Sequence, residues 1–306
     1  MRGVLWAAAS ATAYSLSSVV GKDLLGELGS SSLLFWRFGV GAVVLWVAVT
    51  IWHRRGGPNP MAIPKLTALG LGAMFGLLVL LGFIALERLD ASIYIVVVYT
   101  YPVFVVVGSV LLGARPGPGT WAALALVMVG IVLTVPELFG GKGTISALGV
   151  VLTILQALVF AGYMILSSRV MPRSVDGVVS AAWITLGAAL VITPIALSQG
   201  IVRPRVGLLG EVAMFALIPT VVSSICFFRA MRHIAPGVVA MVLTLEVALV
   251  IIWSIVFLGD DVRPVKLLGA AVVVGGVLLA QWVNAKASRA TTATLDAAVV
   301  AVPPVG

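Results

Sequence analysis

Residues 91–112 read ASIYIVVVYTYPVFVVVGSVLL. The run is long enough to cross a bilayer, since a spanning helix needs about 20 apolar residues. Tyr99, Tyr101 and Pro102 nevertheless interrupt it near its centre. Proline lacks an N–H and displaces the carbonyl four residues back, that of Val98, from its helical bond. An orphan carbonyl is costly in hydrocarbon, so such a break belongs where it faces protein or a cavity. The stretch therefore predicts a spanning helix broken at mid-depth, with two tyrosines beside the break.

The rest of the 306-residue chain has the same character. Charged residues make up 10% and hydrophobic ones 61%, against about 25% charged in a soluble domain. Mean hydropathy is +1.19. So few charges cannot cover a water-soluble surface, and the solvent must be largely lipid. Cys226 is the single cysteine, which excludes a disulfide framework and a cysteine-based metal cluster. His53 and His233 both fall in expected loops. Neither a metal site, a cofactor site nor a nucleophile–base pair is legible, so the chain is not expected to be an enzyme. The net charge of +8 could suggest nucleic acid. The basic residues sit mostly at the ends of apolar runs, however, which fits membrane topology and no nucleic-acid partner.

Splitting the chain at charged, Gly and Pro clusters gives ten spans: 3–22, 30–52, 63–86, 91–112, 119–137, 144–169, 174–200, 207–230, 235–258 and 263–285. The expected fold is an all-α integral membrane protein. The run after Arg2 is too long for a cleavable signal and reads as the first span. With the N-terminus inside, eleven Lys and Arg fall on the cytoplasmic side and seven on the other, Arg37 being intramembrane. Trp6, Trp52, Trp121 and Trp282 then lie near cytoplasmic helix ends, as an interfacial belt would. Both termini are thus expected inside. Residues 286–306 are small-residue-rich with prolines near the end, and are expected to be a disordered tail.

The chain also resembles itself. In the segment from Gly82, Ala85 matches Ala230 of the segment from Phe227; Leu112-Gly113-Ala114 matches Leu258-Gly259-Asp260; Pro118, Ala125 and Gly130 match Pro264, Ala271 and Gly276. The ordered series divides the chain into five-helix halves at 1–139 and 144–285. An odd number of spans inserts the second half upside down. Inverted repeats are the signature of alternating-access transporters, whose site lies near midplane at the repeat interface.

Ten helices, two five-helix halves and the Leu-Gly-x turn closing each half's fourth helix resemble the drug/metabolite transporter superfamily, in its EamA-type branch. In that family the fourth helix of each half carries a Glu-Pro pair. Here Tyr101-Pro102 keeps the proline and Glu246-Val247 keeps the glutamate. The tyrosine-rich fourth helix looks like bacterial aromatic amino-acid exporters of the family. The resemblance implies a multi-pass protein of the bacterial inner membrane that exports small metabolites through a cavity lined by spans 1, 3, 4, 6, 8 and 9.

Candidate substrate residues follow from polar and aromatic groups at mid-depth. Glu246 has no charge nearer than its helix ends, and a central acid costs about 2.5–3.5 kcal/mol to insert. It could bind a substrate ammonium, carry a coupling proton or bond a neighbouring helix. Tyr99 and Tyr101 are candidates too. Two positions apart, they sit roughly 200° around an unbroken helix and would not face one ligand. Tyr94 reads as belt. Gln156 and Tyr163, with Phe160 between them, form one stripe, and Ser10, Tyr14, Ser17 and Ser18 another; each is either ligand contact or packing. Trp253 shares Glu246's face and could stack on a ligand. Pro102 and Pro219 are candidate kinks or gates, and Ser223 and Ser224 are weaker candidates. Arg37 could snorkel, pair with an acid or bind a carboxylate. Gly72, Gly76 and Gly275-Gly276 read as close-packing positions. The alternative is a multidrug exporter of cationic lipophilic compounds, with Glu246 as counter-ion. The oligomeric state is left open, a monomer being compatible.

Overall fold

The computed structural model describes residues 2–89, 91–135, 146–172, 174–253, 256 and 264–300, with side chains at all of these except 18–23, 91, 92 and 287–300. The side chain of Ser18, the 136–145 linker, the second Leu-Gly-x turn and residues 301–306 thus lie outside the described residues.

Among the described residues the chain is helical throughout, with no strand. The first span is α1 (Arg2–Ser15), which resumes after a turn at Leu16 as the start of α2 (Ser17–Arg54). Gly29, with φ 69° and ψ 166°, bends α2 sharply and separates the first span from the second. Only glycine populates that region readily. The third span is α3 (Lys65–Leu86). The fourth is split into α4 (Ala91–Val98) and α5 (Tyr101–Leu111), and the fifth is α6 (Pro118–Leu133). The second half repeats this with α7 (Ala147–Val170) and α8 (Gly177–Gln199). Its third span is α9 (Leu209–Ala216), a π-helical segment (Leu217–Val222) and α10 (Ser223–Met231). Its fourth is split into α11 (Pro236–Leu243) and α12 (Leu245–Trp253), and α13 (Pro264–Val300) closes the bundle.

Eight of these segments are long and apolar enough to cross a membrane, and the 16-residue α6 is a shorter apolar helix. The tenth, α1, has 14 residues and reaches bilayer length only by continuing through Leu16. The backbone of α13 is helical past residue 286, where the sequence reading starts a disordered tail. Its Ala-rich sequence explains why: alanine is the strongest helix former, and no proline occurs before 303. His53 lies in the last turn of α2 rather than in a loop.

The helix packing is nearly unchanged when the halves are exchanged. Span 1 packs on span 8 as span 6 packs on span 3, and span 9 packs on span 1 as span 4 packs on span 6. Spans 2 and 7, 4 and 9, and 5 and 10 pair across the halves. The last pair shows the exchange residue by residue. Gly130 lies against Val273, and Gly276 against Val127, each so close that a Cβ would fall 2.6–2.7 Å from the valine. Spans 3 and 7 meet through Gly72 and Gly187, whose Cα atoms face each other's backbones. In lipid, where burial of apolar surface gives helices no reason to associate, such close backbone approach supplies the packing energy.

The two ends of the bundle are fastened differently. At the end bearing Arg2, Asp176 caps α8 by accepting from Val178 N at 2.8 Å, and lies 3.9 Å from Arg229 and 3.4 Å from Arg232. Arg229 in turn sits 4.7 Å over the Trp6 ring. At the opposite end Ser30 Oγ donates to Glu87 at 2.8 Å, Arg205 lies 3.5 Å from Glu27, and Trp36 Nε1 donates to the Val202 carbonyl at 2.9 Å.

Candidate substrate site

Among the described residues four spans lose regular helical geometry partway along. In three of them a hydroxyl bonds a backbone carbonyl at the break. Ser15 Oγ donates to Thr12 O at 2.8 Å beside the Leu16 turn, Thr100 Oγ1 to Val97 O at 2.7 Å, and Thr244 Oγ1 to Met241 O at 2.6 Å. Back-bonding of this kind competes with the helical ladder. Thr100 and Thr244 share nearly the same backbone, φ −74°, ψ −10° and φ −65°, ψ −11°. The ninth span breaks without any proline at that point, so Pro102, buried in the first turn of α5, reinforces a break that the threonines share. The fourth irregular span is the eighth, where Pro219 lies inside the π-helical segment. A π-turn leaves carbonyls free of their usual partners, and such segments gather at functional sites.

The breaks collect the candidate side chains. Tyr99 and Tyr101 flank Thr100, and the turn there voids the 200° separation expected of an unbroken helix: their ring centroids are 6.1 Å apart. Tyr101 is buried and donates its hydroxyl to the Ala240 carbonyl at 3.1 Å, which ties the fourth span to the ninth. The Tyr99 side chain lies beside the Glu246 carboxyl, two residues past Thr244. Glu246 and Tyr14 both stay partly accessible.

From Tyr101 a chain of rings runs inward. Phe160 lies 4.7 Å from Tyr101, Tyr163 stacks 6.2 Å from Phe160, and Phe227 stacks 6.0 Å from Tyr163. Phe75 adds a fourth wall, 5.4 Å from Tyr163. Gln156 and Tyr163 are buried, and with Phe160 they share one helix face as their spacing predicts. Gln156, however, accepts from the Tyr94 hydroxyl at 3.1 Å against Gly82. Tyr94 is therefore an interior group, not belt. Trp253 Nε1 donates to Ser15 Oγ at 2.8 Å, beside the break in the first span. Ser10 and Ser223 bond each other, Oγ to Oγ, at 3.0 Å and clasp spans 1 and 8.

Arg37 is the residue that spacing arguments undervalued. It does not snorkel: it is 2% exposed. Its Nε donates to Thr220 Oγ1 at 2.8 Å and its NH2 to the Pro219 carbonyl at 3.3 Å, within the π-helical segment. The guanidinium lies 5.3 Å from the Tyr14 ring and 5.0 Å from that of Phe215. It is within electrostatic reach of Glu246, outside ion-pair distance. The available signal was the lone Arg in LLFWRFGVG together with the chance that the eighth span, containing Pro219, was irregular.

A pocket of about 20 Å³ lies beside Ser167, Ser168 and Arg232, and an open groove of about 290 Å³ runs on the second span between Trp46 and Arg54. Neither includes Glu246 or Arg37. Among the described residues, no group of three or more His, Cys, Asp or Glu could hold a metal ion.

Known proteins give the same architecture a family. The model of the EamA-like transporter family matches twice, over residues 1–135 and 147–282. A riboflavin transporter of Rhizobium johnstonii is 27% identical over 245 residues, 70% of this chain and 72% of its own. An uncharacterized transporter of Synechocystis sp. is 29% identical over 131 residues, which is 41% of this chain and 38% of that protein's length. A solved crystal structure shares the fold with a TM-score of 0.79 at 18% identity, covering 93% of this chain and 98% of its own. Two family matches, one on each five-span half, make this chain a multi-pass membrane protein that belongs to the EamA-like transporter family.

Proposed function

We propose that this protein is a secondary transporter of the bacterial inner membrane, both termini cytoplasmic, that exports hydrophobic and aromatic amino acids by alternating access. The observation that carries the reading is the chain of rings Tyr101–Phe160–Tyr163–Phe227, flanked by the charges of Glu246 and Arg37. Aromatic walls suit a flat apolar side chain through offset stacking. Opposite charges at its margin suit a zwitterion.

The mechanism follows from the breaks. The half-spans on either side of Thr100 and Thr244 are the pieces able to pivot, while the glycine-packed pairs of spans move as units. Rocking of the halves would open the ring cluster to one side while the fastening at the other end stays closed. Glu246 is the group able to carry a proton through this cycle, with Tyr99 beside it.

A second reading takes a flavin-type solute, favoured by the riboflavin transporter among the relatives and by the near-parallel rings of Phe160, Tyr163 and Phe227. The alternative of a cationic lipophilic drug is weakened by Arg37, whose charge opposes a cation beside Glu246.

Counterflow in proteoliposomes with amino acids, riboflavin and cationic dyes tests these readings. Uptake of phenylalanine or tryptophan above the other solutes is expected. Transport of dyes alone would overturn the proposal. With Glu246→Gln, flux is expected to lose its dependence on a pH gradient; unchanged pH dependence would remove the proton from the cycle.

A further inference from the structure

The burial of Arg37 at the margin of the rings needs an explanation. A guanidinium taken out of water is strongly penalised unless it is paired and hydrogen-bonded. Arg37 is 2% exposed, yet among the described residues no carboxylate lies at ion-pair distance from it. Two neutral acceptors, Thr220 Oγ1 and the Pro219 carbonyl, engage Nε and one terminal nitrogen. Guanidinium carries five N–H donors in a fixed fork that matches a carboxylate. The Thr220 and Pro219 contacts fix its plane. The rings of Tyr14 and Phe215 hold it from the sides. A side chain so firmly positioned, and so little compensated, is pre-organised for an anion that arrives from outside the chain.

We propose that Arg37 is the carboxylate anchor of the substrate. The proposal rests on the amino-acid reading above and specifies its polar end. The carboxylate meets the free edge of Arg37, the ammonium meets Glu246, and the side chain enters the rings. The separation of Arg37 from Glu246, near enough to feel each other and too far to pair, leaves the gap that a zwitterion bridges. Only a solute with both charges neutralises both residues, which sets specificity against amines lacking a carboxylate.

The test is inhibition of tryptophan counterflow by an indole series on the unaltered protein. Tryptophanamide, which lacks the carboxylate charge, is expected to compete at least about 30-fold more weakly than tryptophan, the range of a lost buried charge contact. In Arg37→Gln the two compounds are expected to compete equally, with Arg37→Lys intermediate because it keeps charge without the fork. Equal competition by tryptophan and tryptophanamide on the unaltered protein overturns the anchor while leaving aromatic transport standing. Counterflow of riboflavin with none of any amino acid overturns the amino-acid reading and the anchor with it. Because the decisive comparison uses the unaltered chain, a variant that fails to fold does not obscure the result.

Discussion

The Tyr101 hydroxyl reaches across the halves to the Ala240 carbonyl at 3.1 Å, so that the two broken spans hold each other beside their breaks, just after Thr100 and just before Thr244. Removing it with Tyr101→Phe keeps the ring against Phe160. The expected loss is about 0.5–1.5 kcal/mol of stability. Thermal unfolding in detergent checks this, with tryptophan counterflow retained. A variant that is stable but inactive would give the hydroxyl a role in the cycle instead.

Gly29→Ala tests the bend between the first two spans. Nothing lies within reach of an added Cβ there, so the whole cost is the backbone conformation at φ 69°. A non-glycine residue in that region costs about 1–3 kcal/mol. A lowered melting temperature is expected, against a slightly raised one for Gly70→Ala, which lies in regular helix with equal room and gains helix propensity.

Gly72→Val should be far worse. A Cβ at Gly72 would meet the Ile184 carbonyl and the Gly187 Cα, which are backbone and cannot rotate away. Loss of folded, monodisperse protein is the expected result in size-exclusion chromatography. Survival of Gly72→Val would show that spans 3 and 7 can separate without harm.

Cys226 offers a reporter for the fastened end. It is buried on α10, three residues before Arg229. Asp176→Asn removes the carboxylate charge shared by Arg229 and Arg232. Faster modification of Cys226 by a maleimide is expected, and an unchanged rate would mean that the ion pairs do not hold that end closed.

The apolar spans and the twofold division were legible because lipid imposes length and apolarity on every crossing, and because Gly130 and Gly276 must be glycine for the same steric reason. That Gln156 and Tyr163 share one face was legible from helical periodicity. What periodicity could not give was geometry beyond a break. The mutual approach of Tyr99 and Tyr101 follows from a turn at Thr100, and a threonine at mid-helix looks innocuous in sequence. Tyr94 was misread for a related reason: depth along a span suggests an interface, whereas its partner, Gln156, comes from another helix. Arg37 was undervalued because its partners are a hydroxyl and a carbonyl, neither of which a charge-pairing argument searches for.

The two ends are fastened with unequal exposure to water. Asp176 and its two arginines are each about a third exposed or less, whereas Arg205 and Glu27 at the opposite end are 80% and 41% exposed. Mobile ions weaken attraction between accessible charges and reach partly buried pairs much less. Raising ionic strength should therefore loosen the Arg205–Glu27 end first; on the alternating-access proposal, dissolved salt then favours the form open on that side, a direction-dependent brake or accelerator on turnover.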